Sequence, residues 1–315
     1  MLFFKKIFHN LYSKTSIGKA LAGVFPYNVK KYSLSESNDE LISLINKKQP
    51  FVCGRLGRSE VGGAIHQTIK EVFPFYHIPQ QSIQYLNNNS GMFSVNYRGR
   101  HFFKKLLEKS VRHCDAVCYY GEKNFAYENY FVHKNAKPHT KLLDPNVLFV
   151  NRVMELNKPW TQYLEGKKIL VISTFAVQIE RQYEIIDKIF NKKNPLPEFT
   201  LKTYIPVVSF GGEQCEYASW KDALMAMFEE IKQIDFDIAL LSCGSYGMPL
   251  SYLIKTKMKR SALYMGGAIQ RMFGIKCKRD IDSGLEKTLY NRYWEDADDS
   301  LRPKDYMTVD NGDYW

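Results

Sequence analysis

Two arginines and a carboxylate fall within one short stretch, Arg55-Leu56-Gly57-Arg58-Ser59-Glu60, directly after the apolar run Phe51-Val52-Cys53-Gly54. Arginine offers a planar fork of donors that suits a phosphate and keeps its charge at physiological pH. Glu60 can hold a divalent metal, a sugar hydroxyl or a proton. As a first-turn helix residue it also gains from the macrodipole with no ligand at all. Arg58, at the same helix start, is equally readable as a solvated side chain. Gly54 and Gly57 let main-chain N–H groups approach an anion, and a helix after the turn points its positive end at it. The chemistry to look for is therefore capture of a phosphate at a strand end.

Two further strand-to-glycine turns follow the same logic: Gly244-Ser245-Tyr246-Gly247 after Asp237–Cys243, and Gly266-Gly267 after Ser261–Met265. In a parallel sheet such turns lie at the carboxyl ends of strands, where open α/β sheets bind ligands. The last two belong to consecutive strand–turn–helix units, so they are expected to be neighbours with room for a diphosphate between them. Neither GxGxxG nor GxxxxGK[ST] occurs at any of the three, and strand-to-helix turns use glycine without a ligand as well. Lys276, Lys278 and Arg279 add positive charge nearby. Asn87-Asn88-Asn89-Ser90-Gly91 offers donors and acceptors to a hydroxyl-rich ligand, or is an ordinary polar loop. The histidines form no HxxxH or HExxH pattern, which argues against a histidine metal site.

The elements that must position these residues are readable in outline. Ser37-x-x-Glu40 has the form of a capping box opening a helix with Leu41, Ile42, Leu44 and Ile45 on its buried stripe. Pro50 stops that helix. A strand at 51–54 and a helix from about Ser59 to Ile69 follow. Residues 83–93 read as a strand entering a polar turn, and His101–His113 as a basic amphipathic helix. Asp115–Tyr120 is a short strand. Residues 121–160 look loose, with Pro159-Trp160 as a hinge or boundary. Lys167–Phe175 is a buried strand before a helix carrying Ile179, Tyr183, Ile186 and Phe190 at helical spacing. Leu201–Ser209 is a strand and Trp220–Ile234 a helix. The two glycine-turn units come next, and an acidic, polar segment from about Asp280 suggests a peripheral helix and loose tail. Strands alternating with helices, and apolar along their whole length, imply a parallel sheet covered on both faces.

Composition narrows the partners. The 315 residues include 44 Lys plus Arg against 33 Asp plus Glu, a net charge of +11, which favours anionic partners. Hydrophobic residues at 45% allow a sizeable core. The six cysteines make no CxxC pair, so they read as reduced thiols of a cytosolic protein. No stretch is long and apolar enough to span a membrane. At residues 1–12, Phe3, Phe4, Ile7, Phe8, Leu11 and Tyr12 share one side and Lys5, Lys6, His9 and Asn10 the other. That pattern fits a helix in a membrane interface, or one packed on the domain.

Taken in order, these motifs resemble the GT-D type of glycosyltransferase, a single Rossmann-like domain of bacterial polysaccharide, capsule and glycoprotein glycosylation loci. The resemblance covers about residues 36–280. It rests on Arg55–Glu60, where the family motif reads approximately R-F-G-D-G-E, and on Asn88-Asn89-Ser90-Gly91, Pro159-Trp160 and Ile172-Ser173-Thr174-Phe175. Its most specific parts are Gly244–Gly247 and Gly266-Gly267-Ala268-Ile269-Gln270 with Phe273-Gly274-Ile275-Lys276. It implies an α/β, Rossmann-like fold with a mostly parallel sheet and helices on both faces. An amphipathic segment (1–35) would precede the catalytic domain (36–280), and a peripheral tail (281–315) would follow it.

The implied activity is transfer of a sugar from a nucleotide-sugar of the UDP type to a glycan or lipid-linked glycan precursor. The work would be done in the cytoplasm, with peripheral contact to the inner membrane face through residues 1–12. Glu60 and Arg55 would be the catalytic groups. Gly54, Gly57, Arg58, Asn89, Gly244, Ser245, Tyr246, Gly247, Gly266, Gly267, Gln270 and Lys276 would bind the donor. The family's Asp-x-Glu pair is associated with the donor and its Mn²⁺ or Mg²⁺, but Arg58 stands at the Asp position and leaves Glu60 as the sole metal candidate of the motif. An arginine cannot ligate such an ion, though it can neutralise a diphosphate directly. Either Arg55 and Arg58 replace the cation, or activity has been lost. Two alternatives stay open: a pyruvyl-type transferase using phosphoenolpyruvate, and an inactive partner in a glycan assembly complex. Nucleic acid is not an expected partner, because no recognition module is present.

Overall fold

The structure is a computed structural model that describes residues 31–121, 126–191 and 194–315. The amphipathic stretch expected at residues 1–12 lies outside the described residues. Among those described, seven strands make one all-parallel sheet. They are β1 Val52–Arg55, β2 Ala116–Cys118, β3 Lys141–Leu143, β4 Lys168–Ser173, β5 Thr200–Tyr204, β6 Ile238–Ser242 and β7 Ser261–Tyr264, in the order β3-β2-β1-β7-β6-β4-β5. The glycine-bearing strands are thus neighbours: Gly54 of β1 lies opposite Tyr264 of β7, and Leu241 of β6 lies opposite the same Tyr264.

The helices that bear on the site are α1 Leu34–Asn46, α2 Arg58–Val72, α3 Gln80–Ser90, α4 Tyr97–Arg112, α5 Ala126–Asn135, α6 Ala176–Glu184, α7 Trp220–Ile231, α8 Gly247–Leu253, α9 Ala268–Met272 and α10 Lys278–Ser283. The sheet separates two cores. Leu170 and Ile172 of β4 face the core built with α2, α4, α7 and α8, whereas Ile169 and Val171 face the one built with α1, α6 and α9. Burial on both faces explains why the strands read as unbroken apolar runs. β1 sends its helix to the first core and β7, its neighbour, sends its helix to the second. Adjacent strands that part in this way open a crevice at their carboxyl ends.

Several expected elements are displaced. The capping box forms at Ser33 and Glu36, an earlier copy of the same spacing, and Ser37 is buried and accepts a hydrogen bond from the Asp144 N–H at 2.8 Å. Residues 83–93 are not a strand. Helix α3 runs between Pro79 and a left-handed Gly91 cap, and its Leu86 packs on Gly63 of α2. Only three positions, Ile83 to Tyr85, carried the alternation, too few to outweigh caps and packing. The region 121–160 holds α5 and β3, and Trp160 is no hinge. It is 1% exposed, its main-chain N–H donates to Asn38, and its indole donates to the Val147 carbonyl. The tail is not loose either: Trp294 and Val309 are buried, Ile275 bridges to Glu295, and the chain returns to the sheet.

Candidate functional site

The carboxyl ends of β1, β7, β6 and β4 open into a cleft of about 520 Å³. Its floor comes from Arg55, Leu56 and Gly57 after β1, Tyr264, Gly266 and Gly267 at β7, Ser242 and Gly244 at β6, and Ser173, Thr174 and Phe175 at β4. One side is closed by Tyr85, Asn89 and Ser90 of α3. The opposite side and the mouth are formed by Arg279 and by residues 308–311 and 313–315 of the C-terminal segment.

Arg55 ends β1 and lines this space. Gly266 lets it lie there. Its φ of +59° favours glycine, and a Cβ at that position would sit 3.2 Å from Arg55 Nη1. The buried Nε of Arg55 has no hydrogen-bond partner among the described residues. Burial opposes the charge, but the hydroxyls of Tyr120, Tyr264 and Tyr314, with Glu60, outweigh it and hold the guanidinium firmly protonated. Glu128 on α5 lies close by, 4% exposed, with its Oε2 accepting from the Tyr120 N–H at 3.2 Å. Burial pushes that carboxyl up to about 8, so near neutral pH it leaves the arginine's charge largely uncancelled.

Glu60 sits in the first turn of α2 and is 7% exposed. Its carboxylate folds back against Gly57, where any side chain would collide with it, and Ser59 Oγ donates to Oε2 at 2.7 Å. Burial raises its pKa above the ordinary value; the Ser59 hydroxyl, the residue's own N–H and Arg55 pull the other way. Glu60 accepts from its own N–H at a helix start whose Gly57 has no side chain to cap it, and it also lines the cleft.

The expected site residues divide into two sets. Arg55, Gly57, Arg58, Glu60, Asn89, Gly244, Gly266 and Gly267 line the cleft together. Gly54, Ser245, Tyr246, Gly247, Gln270 and Lys276 do not. Gly54 is inside the sheet against Met248 and Tyr264. Ser245 accepts from the Trp220 indole at 2.8 Å, while Tyr246 stacks on that indole and bonds Ser209. Gly247 makes room for the Tyr264 ring. Gln270 donates to the carbonyls of Lys276 and Tyr314, and Lys276 pairs with Asp296. These residues support the cleft from behind.

The C-terminal contribution was missed from sequence. Asp310 donates its N–H to Asn89 Oδ1 at 2.8 Å, Arg279 pairs with Asp313 at 2.7 Å, and Tyr314 packs on Gly267. Trp315 lies by Phe175 and Phe210. The only signal was local: Asp310-Asn311-Gly312 has turn composition, and Tyr314-Trp315 is an aromatic pair in an otherwise polar segment.

The cleft carries no ready-made cage for a divalent cation among the described residues. Arg58 replaces a carboxylate beside Glu60, and among the described residues no group of three or more His, Cys, Asp or Glu side chains could hold a metal ion.

The structure of the domain of unknown function 1792, described as having a distinct glycosyltransferase fold, is 14% identical with a TM-score of 0.40. A selenomethionine-substituted structure of the same domain is also 14% identical, with a TM-score of 0.39. Each comparison covers 86% of this chain and 86% of the other. No curated protein matches the sequence. The profile of the GT-D fold-like domain matches residues 33–272, and the chain belongs to that family.

Proposed function

We propose that the protein transfers a sugar from a nucleotide-sugar, of the UDP type, to a glycan precursor, holding the donor diphosphate without a metal ion. The observation that carries this reading is Arg55: a half-buried guanidinium whose covered Nε has no partner among the described residues, set against the Gly266 turn at the floor of the cleft. When the glycosidic bond to the donor breaks, charge develops on the leaving diphosphate. A fixed cation and main-chain amides stabilise that charge without reorganising. Arg58 adds a second positive group at the start of α2. Glu60 serves as a contact to the sugar and as the anchor of that helix start.

Titration calorimetry with UDP and a panel of UDP-sugars tests the reading. Binding is expected in the wild type, and Arg55→Ala weakens it roughly 10- to 100-fold, the range of a charge-assisted hydrogen bond. Failure of every nucleotide and nucleotide-sugar to bind would remove the basis of the proposal. A second reading is favoured by Arg58 at the family's Asp position: an inactive partner in a glycan assembly complex. Turnover by the isolated protein eliminates it.

A further inference from the structure

The cleft has two chemically different walls. The sheet side presents Arg55 and glycine turns; the opposite side, from residues beyond the family's matched span, presents carboxylates and phenols. We propose that Asp310 on that second wall is the base that takes the proton from the acceptor hydroxyl, an assignment that rests on the sugar-transfer reading above.

The geometry separates Asp310 from Glu60. Glu60 is nearly covered, pressed on Gly57 and bonded by Ser59. The Asp310 side chain is 30% exposed and opens into the cleft. Its carboxylate is held in place from both sides. The Tyr314 hydroxyl lies 3.3 Å from Oδ2, and the Tyr85 hydroxyl of α3 hydrogen-bonds the same group. Its main-chain N–H is fixed by Asn89. Arg279 bonds Asp313 at 2.7 and 3.1 Å and pairs with Asp310 only at the longer distance of 3.9 Å. The backbone at Asp310 and Asn311 is left-handed, with φ of +47° and +59°, a region that Asp and Asn enter more readily than other side chains. An oriented, partly exposed carboxylate facing the anion-binding floor is what an acceptor hydroxyl needs.

The step balances. The acceptor oxygen forms a bond to the anomeric carbon of the donor, and its proton passes to the Asp310 carboxylate. The bond from that carbon to the diphosphate oxygen breaks, and the electron pair leaves with the nucleoside diphosphate, whose charge Arg55 receives.

The test uses the full chain and follows UDP release from UDP-glucose, UDP-galactose and UDP-N-acetylglucosamine, with water standing in for the acceptor. For Asp310→Asn, the release rate is expected to fall about 100-fold or more, the scale of a lost general base. Donor affinity by calorimetry and melting temperature should match the wild type. Wild-type turnover in Asp310→Asn, or an affinity loss as large as the rate loss, overturns the assignment while leaving the transferase reading intact. Absence of UDP and UDP-sugar binding by the wild-type protein instead refutes the transferase reading, and the assignment with it. Should Asp310→Asn melt early, Asp310→Glu keeps the charge while moving it, and a reduced rate at unchanged affinity supports the same conclusion; an unreduced rate contradicts it.

Discussion

Arg55 shows how much one side chain depends on its neighbours. Its place is set by being last in β1, and its direction by a glycine more than two hundred positions later, Gly266. Gly266→Ala adds a methyl group against the guanidinium in a left-handed backbone, so it should cost about 1–2 kcal/mol in stability from conformation alone. It should also weaken UDP binding, because the arginine must move. Denaturant unfolding and calorimetry on the same variant check both effects; a variant as stable as the wild type with full affinity would contradict this account of the turn. That Arg55, Gly57 and Glu60 line one cleft was legible because residue types that suit phosphate followed an apolar strand. Gly54, Gln270 and Lys276 share that local chemistry but point elsewhere, and nothing in their spacing distinguishes the two groups. Asp310 was invisible because its meaning comes from Asn89, a partner 221 residues away in sequence.

At the scale of elements, strands buried on both faces were legible, three-residue β2 included, whereas the edge strand β3 and the polar helix α3 were not. β4, β6 and β7 carry continuous apolar runs, whereas β3 has three residues and joins the sheet only through β2. Helix α3 is rich in Asn, Gln and Ser, weak helix formers apart from Gln, and exists because Pro79, Gly91 and the face of α2 bound it. Helix α5 brings a further consequence through Glu128. Its ordinary value near 4.5 is raised to about 8 in the fold, chiefly by burial. The folded chain therefore binds a proton that the unfolded chain releases between those values, and this contribution to stability declines as pH rises from about 4.5 to about 8. Glu128→Gln cannot ionise, so its melting temperature should fall less than the wild type's over that interval, by a few degrees. Parallel slopes for the two proteins would show that the carboxyl is not held neutral.

For the molecule as a whole, the net charge of +11 and the apolar stripe at residues 1–12 lead to a prediction about location. Vesicles containing anionic lipid should sediment with the full chain and lose it when residues 1–12 are deleted, since an amphipathic helix gains from both apolar burial and charge attraction. Co-sedimentation that survives the deletion would assign membrane contact to another surface. Among the described residues no helix is long and apolar enough to cross a bilayer.

The sheet order carries one more consequence. β1 and β7, first and last strands among those described, are bonded side by side at the centre. During synthesis β1 emerges long before the strand that must flank it, so one of its edges stays open to wrong pairings until nearly the entire domain has left the ribosome. The cleft at the strand ends forms at that same late junction. A substrate analogue that fills it would act as a clasp on the final step of assembly, and yield of native protein in cells should respond to its supply.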